Sequence, residues 1–149
     1  MTYPHPEVAA EIGQFFVCAR VDITVDRQAA RQARVLWTPW LAFWSRHGVW
    51  LRESIGFLPP EALLWQLRLV RALDALRGAE FERAEALFGQ VLETAQARDL
   101  RPEAAYWLGI AGYLRDWDAA RLHRTWQPLR ERWPESLWAA RTDYPEREA

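Results

Sequence analysis

One cysteine, Cys18, stands in the entire sequence, which excludes an internal disulfide, a cysteine-rich zinc site and a Cys-x-x-Cys redox pair within this chain. Lysine and asparagine are absent, so every basic side chain is arginine. That bias fits a GC-rich genome or avoidance of thermolabile amides and carries no functional message. An excess of either charge is also missing. Lys plus Arg number 19 against 20 for Asp plus Glu, a net charge of -1, which argues against a global attraction to nucleic acid or anionic lipid. No apolar run approaches the roughly 18–20 residues of a membrane-crossing helix, so no membrane partner is expected. The start, Met1-Thr2-Tyr3-Pro4-His5, lacks a basic-then-apolar stretch, and a cytoplasmic location is expected. There is no Gly-rich phosphate loop, no Gly-x-Ser-x-Gly elbow and no recognisable acid/base carboxylate pair. His5, His47 and His123 have no metal-ligand spacing, so neither a metal nor a cofactor is expected.

What is present is an ordinary globular composition: 149 residues, 50% hydrophobic and 26% charged, with a mean hydropathy of -0.30. The length suits one domain or two small fused modules. Ten tryptophans are the main oddity. Most are expected in cores and between helices, although tryptophan also anchors binding sites. One basic, aromatic-interleaved stretch runs over residues 115–133, with Arg115, Arg121, Arg124, Arg130 and Arg132 against Asp116, Asp118 and Glu131. Charge of both signs along a helix face reads as a solvated surface, not a nucleic-acid site.

Strand signals are confined to the first part of the chain. Residues 6–14 (PEVAAEIGQ) predict a short helix with Val8, Ala9 and Ile12 at helical spacing. Residues 15–23 (FFVCARVDI) read as a strand covered on both faces, with Cys18 a small buried hydrophobe inside it. Thr24 and Asp26 offer caps to a helix over about 27–34, packed by Ala29, Ala30 and Ala33. Residues 40–44 (WLAFW) and 49–55 (VWLRESI) predict a hairpin closed by Ser45-Arg46-His47-Gly48.

From Pro59-Pro60-Glu61 onward only helical periodicity remains, so the expected parts are 1–60 and 61–149. Helices are predicted around Leu63, Leu67 and Val70, around Phe81 to Val91, from Pro102-Glu103, over about 118–132 and from Pro134-Glu135. Pro128 should kink or divide the fourth of these. Gly78-x-x-Phe81-x-x-Ala84 is echoed by Leu114-x-x-Trp117-x-x-Ala120 at an offset of 36 residues (117 − 81), close to the 34-residue tetratricopeptide period. Tyr106-Trp107-Leu108-Gly109 with Tyr113 resembles the first helix of such a repeat, and Trp133-Pro134-Glu135-Ser136 its closing turn.

The first part resembles the second half of the thioredoxin fold. Val21-Asp22 resembles the family's V-D pair, and Val35-Leu36-Trp37-Thr38-Pro39 its V-x-x-T-P ahead of a strand. Gly48 falls in the hairpin turn and Gly56 follows the last strand. With the helices beyond Pro60, the chain resembles bacterial thioredoxin-family proteins that carry a helical C-terminal extension. The resemblance implies an α/β chain: a partial thioredoxin-like fold with three strands and a cis-proline loop, then an all-helical tetratricopeptide-like region. It also implies that the family's strand-helix-strand and Cys-x-x-Cys belong ahead of Met1. As given, then, the chain is expected to have no catalytic residue and not to be an enzyme, because disulfide exchange needs a low-pKa thiolate and a resolving cysteine.

In that fold the missing second strand lies between residues 15–23 and residues 40–44. Those strands should therefore pair directly or be completed by a second chain, with a homodimer completing the sheet the favoured outcome. Apolar surface left by the missing elements should be exposed. The expected function is a non-catalytic protein-interaction module whose partners are proteins or peptides, held at Trp37, Thr38, Pro39 and Trp40. The competing expectation is a thiol-disulfide oxidoreductase, with a role in redox homeostasis, whose Cys-x-x-Cys lies outside this chain.

Overall fold

The computed structural model describes residues 4–143 of the chain; the opening residues Met1, Thr2 and Tyr3 and the last six residues of the helical part lie outside them. The architecture is mixed α/β and mostly helical. Its elements are α1 (Pro6–Phe15), α2 (Arg27–Gln32), β1 (Trp40–Trp44), β2 (Trp50–Ile55), α3 (Pro60–Arg77), α4 (Phe81–Glu93), a 3-10 segment (Ala95–Leu100), α5 (Arg101–Asp116), α6 (Ala119–Arg132) and α7 (Leu137–Ala140). Contacts divide the chain into two compact units, Met1–Leu67 and Arg68–Ala149, and the division falls inside α3.

In the first unit β1 and β2 form a two-stranded antiparallel sheet. The turn follows from its residues. Gly48 takes φ +75°, its N–H donates to the Ser45 carbonyl at 2.9 Å, and the Ser45 N–H donates to the Val49 carbonyl at 2.7 Å. This is a type I turn closed by a left-handed glycine. Ser45 is buried, and its Oγ accepts from the amides of His47 (3.2 Å) and Val49 (3.0 Å). A register shift after Phe43 leaves Phe43 opposite Arg52 and Trp44 opposite Trp50. The two-residue period then sends Leu41 and Phe43 to one face, where they pack with Ile12, Phe16 and Leu58 on buried Val8, Leu63, Leu64 and Leu67. Burying each such aliphatic side chain contributes about 1.5–3 kcal/mol.

The third strand expected over residues 15–23 does not form. Phe15 closes α1, Phe16 caps it, and residues 16–22 have no regular structure. A strand needs a ladder for its amides and carbonyls, and a run apolar on both faces needs cover on both. Neither is supplied: among the described residues β1 pairs only with β2, Val17 is fully exposed and Val21 is 54% exposed. Direct pairing of this segment with β1 is likewise absent, and Cys18 is exposed, not buried. The segment ends in a turn at Asp22, whose Oδ1 accepts from the Thr24 hydroxyl (2.7 Å) and amide (2.9 Å). Those two bonds hold its carboxyl below the usual carboxylate range. Asp26 then caps α2 through the Ala29 amide at 2.8 Å.

In the second unit, Ala84, Leu87, Phe88 and Val91 form the buried stripe of α4. α5 answers with small residues, Ala104, Ala105, Gly109, Ala111 and Gly112, all buried. Gly109 lets α6 approach closely: a Cβ there would lie 2.4 Å from Trp126 Nε1. The buried Trp126 stacks on Tyr106 at 5.2 Å and donates to the Tyr106 carbonyl at 3.0 Å. Leu129 and Ala139 complete that cluster, with Leu122, Trp133 and Trp138 packed against it.

Three details differ from expectation. α6 runs unbroken through Pro128, α7 is a single turn capped by Ser136 and does not begin at Pro134, and the helix starts of the repeat lie 38 residues apart. Phe81 follows cap residue Glu80, Ala119 follows cap residue Asp118, and Trp117 matches Ala79, both with left-handed backbone. The shared signal is Leu-Arg-x-x-acidic, at residues 76–80 and 114–118.

Candidate functional site

The second face of the hairpin is the most distinctive surface of the first unit. Alternation along β1 puts Trp40, Ala42 and Trp44 there, and the register brings Ile55, Glu53 and Trp50 opposite them. The three indoles pack on one another: Trp44 and Trp50 meet edge to face at 5.3 Å, and Trp40 lies 6.4 Å from each. Glu53 is the one charged residue among these six, and its Oε2 accepts from Trp40 Nε1 at 2.8 Å. Trp44 remains 53% exposed, and Trp50 and Ile55 46% each.

The Trp37-Thr38-Pro39 segment leads directly into this face. The Thr38–Pro39 peptide bond is cis, and the Pro39 carbonyl accepts from the Gly56 amide at 2.8 Å, which closes this end of the hairpin. Trp37 is 71% exposed, Thr38 and Pro39 are exposed, and Trp40 is half-buried among the other indoles. Leu36 and Phe57 flank the closed end, both exposed. The four residues singled out from sequence are thus contiguous, but they are one edge of a larger aromatic surface. Trp44, Trp50 and Ile55 were not singled out, although the Trp-x-Ala-x-Trp alternation over residues 40–44 already marked one face.

Of the ten tryptophans, Trp65 and Trp126 are buried and Trp40, Trp107, Trp133 and Trp138 half-buried, whereas Trp37, Trp44, Trp50 and Trp117 are exposed.

The second unit holds the concentrated charge. Glu85 on α4 pairs with Arg115 at the end of α5 and, at 2.6 Å, with Arg121 on α6. Asp116 accepts from Arg115 Nε at 2.8 Å and from Arg121 Nη1. The paired guanidinium of Arg115, followed by that of Arg121, holds the Asp116 carboxyl down at about 2, and Asp116 raises the Arg115 guanidinium in turn. These charges answer one another and close the junction of three helices. A hollow of about 280 Å³ between α5 and α6, lined mainly by Leu92, Leu108, Leu129 and Trp133, presents few polar groups. Among the described residues no group of three or more His, Cys, Asp and Glu is placed to hold a metal ion, and no helix is long and apolar enough to cross a membrane.

Comparison with protein-family models, curated proteins and solved structures finds no match for the chain.

Proposed function

We propose that the chain is a non-catalytic protein-interaction module that holds an extended peptide segment of another protein at Trp37, Thr38, Pro39 and Trp40. The observation that carries this reading is an exposed indole, Trp37, two residues ahead of the closed hairpin end, whose adjoining face is aromatic. Aromatic anchors of this kind supply most of the energy in peptide recognition, because a rigid ring buries a large area with little loss of conformational freedom. Thr38 offers its backbone carbonyl beside that anchor for an extended partner to pair with, while the Pro39 carbonyl is taken by the Gly56 amide.

The finer fold reading belongs with this function. The first unit is read as a partial thioredoxin-like fold, supported by the hairpin and by left-handed glycines at 48 and 56. The helices beyond Pro60 are read as tetratricopeptide-like, supported by the repeated helix starts and by the close α5–α6 approach at Gly109.

Selection of displayed 12-residue peptides against the full chain, followed by fluorescence anisotropy on the selected sequences, tests the reading. Trp37→Ala should weaken binding at least tenfold with an unchanged far-UV spectrum. Selection of no sequence, or equal binding by the variant, would overturn it. Reduction of insulin disulfides by the chain would replace it with an oxidoreductase.

A further inference from the structure

We infer that the hollow between α5 and α6 binds a small anion with an apolar body, a monocarboxylate carrying one aromatic ring or a short alkyl chain. The site lies within the second unit and does not rest on the peptide reading. Its volume of about 280 Å³ is just under the usual range for small-ligand sites, roughly 300–1,000 Å³, so the occupant is small. The walls come from two helix faces, with Ala105 and Leu108 on one side and Thr125 and Leu129 on the other. These helices run antiparallel, because Trp126 meets Tyr106 and Gly109 while Arg121 lies beside Gly112. Continued along the pair, that register brings the start of α5 to the end of α6.

Both apolar stripes finish in an arginine at that end. Arg101 shares the face of Ala105 and Leu108 at i, i+4 and i+7, and Thr125, Leu129 and Arg132 follow the same spacing on α6. The contacts agree: Arg101 Nε donates to the Leu92 carbonyl at 2.8 Å and its Cζ stands 5.3 Å over the Trp133 ring, while Leu92, Trp133 and Arg132 all line the hollow. Among the described residues neither guanidinium has a carboxylate partner, whereas Arg115 and Arg121, at the other end of the helix pair, are matched by Glu85 and Asp116. Arg101 also opens α5, the positive end of the helix, where an anion and not a cation is favoured. Between the two ends the Thr125 hydroxyl is spent on the Arg121 carbonyl at 2.9 Å, which leaves the walls apolar. A carboxylate suits the cationic end, where two guanidiniums offer it charge-assisted N–H bonds, and a ring or alkyl chain suits the walls.

Titration of the full chain at pH 7 with phenylpropionate, its neutral amide and acetate, followed by two-dimensional amide NMR, tests the inference. The acid should give saturable shifts, the amide should bind about tenfold more weakly for want of charge-assisted bonds, and acetate should not bind up to about 10 mM. Arg132→Gln and Arg101→Gln should each weaken the acid about tenfold and leave the amide unchanged. Should Arg101→Gln unfold, the exposed Arg132 decides. Arg130→Gln, at an exposed arginine of α6 that does not line the hollow, should change neither ligand. Absence of saturable shifts up to about 10 mM acid overturns the inference. Equal binding of acid and amide, equal binding of acid and acetate, or equal loss in the Arg130 and Arg132 variants overturns it as well. Trp37→Ala, the variant that tests the peptide reading, should leave these titrations unchanged, so the two readings fail separately.

Discussion

At the scale of single residues, two glycines in neighbouring helices of the second unit make opposite demands. A Cβ on Gly109 would sit 2.4 Å from Nε1 and 2.7 Å from Cδ1 of Trp126, while a Cβ on Gly89 would meet nothing within 4 Å. Gly89→Ala should therefore stabilise the chain by about 0.5–1 kcal/mol, the usual gain from removing a mid-helix glycine. Gly109→Ala gains the same propensity but must displace the indole from the Tyr106 carbonyl, and should destabilise by about 1–3 kcal/mol. Urea unfolding of the two variants beside the parent checks both signs. Asp116 is legible through pH. Its folded carboxyl titrates at about 2, below the ordinary 3.8, so its stabilising contribution is present above about pH 4 and disappears as the pH falls toward 2. Asp116→Asn should lower the melting temperature at pH 7, and the gap to the parent chain should close between pH 4 and pH 2. A gap that stays constant over that range would show that the pairing with Arg115 and Arg121 is not formed.

At the scale of elements, helix ends are finished with unusual residues. The Val35 amide reaches back to the Ala30 carbonyl and the Arg34 amide to Arg31, with Arg34 at φ +54°. The Glu80 amide likewise reaches Ala75 and the Ala79 amide reaches Leu76, with Ala79 at φ +58°. Both are Schellman closures whose left-handed position normally belongs to glycine. Gly78 lies one residue too early to take it. Arg34→Gly and Ala79→Gly should each stabilise by about 1 kcal/mol, because a Cβ is unfavourable in that conformation. Thermal unfolding of each single variant is the check, and a fall in melting temperature would refute the backbone assignment.

The elements also show what was readable in advance. The hairpin, the Asp26 cap and the start of α3 at Pro60 were legible because each depends on residues within a few positions of one another. The stretch over residues 15–23 was not, because its β-branched, aromatic composition states a preference that only a neighbouring strand could satisfy. The true offset of the repeat was hidden for a similar reason: helix caps set it, whereas aromatic spacing had suggested 36. The aromatic surface was half legible, since alternation marks Trp40 and Trp44 while Trp50 joins them only through the register shift after Phe43.

At the scale of the whole molecule, a near-neutral chain carries large exposed apolar side chains. The isoelectric point is about 6.3 and the net charge -1, so copies of the protein have almost no long-range repulsion to keep them apart. Solubility near neutral pH therefore depends on how the indoles of the hairpin are occupied. If they meet a matching surface, the protein is a closed assembly. Left bare, they make each molecule adhesive, and its concentration limit is set by those three rings rather than by its charge.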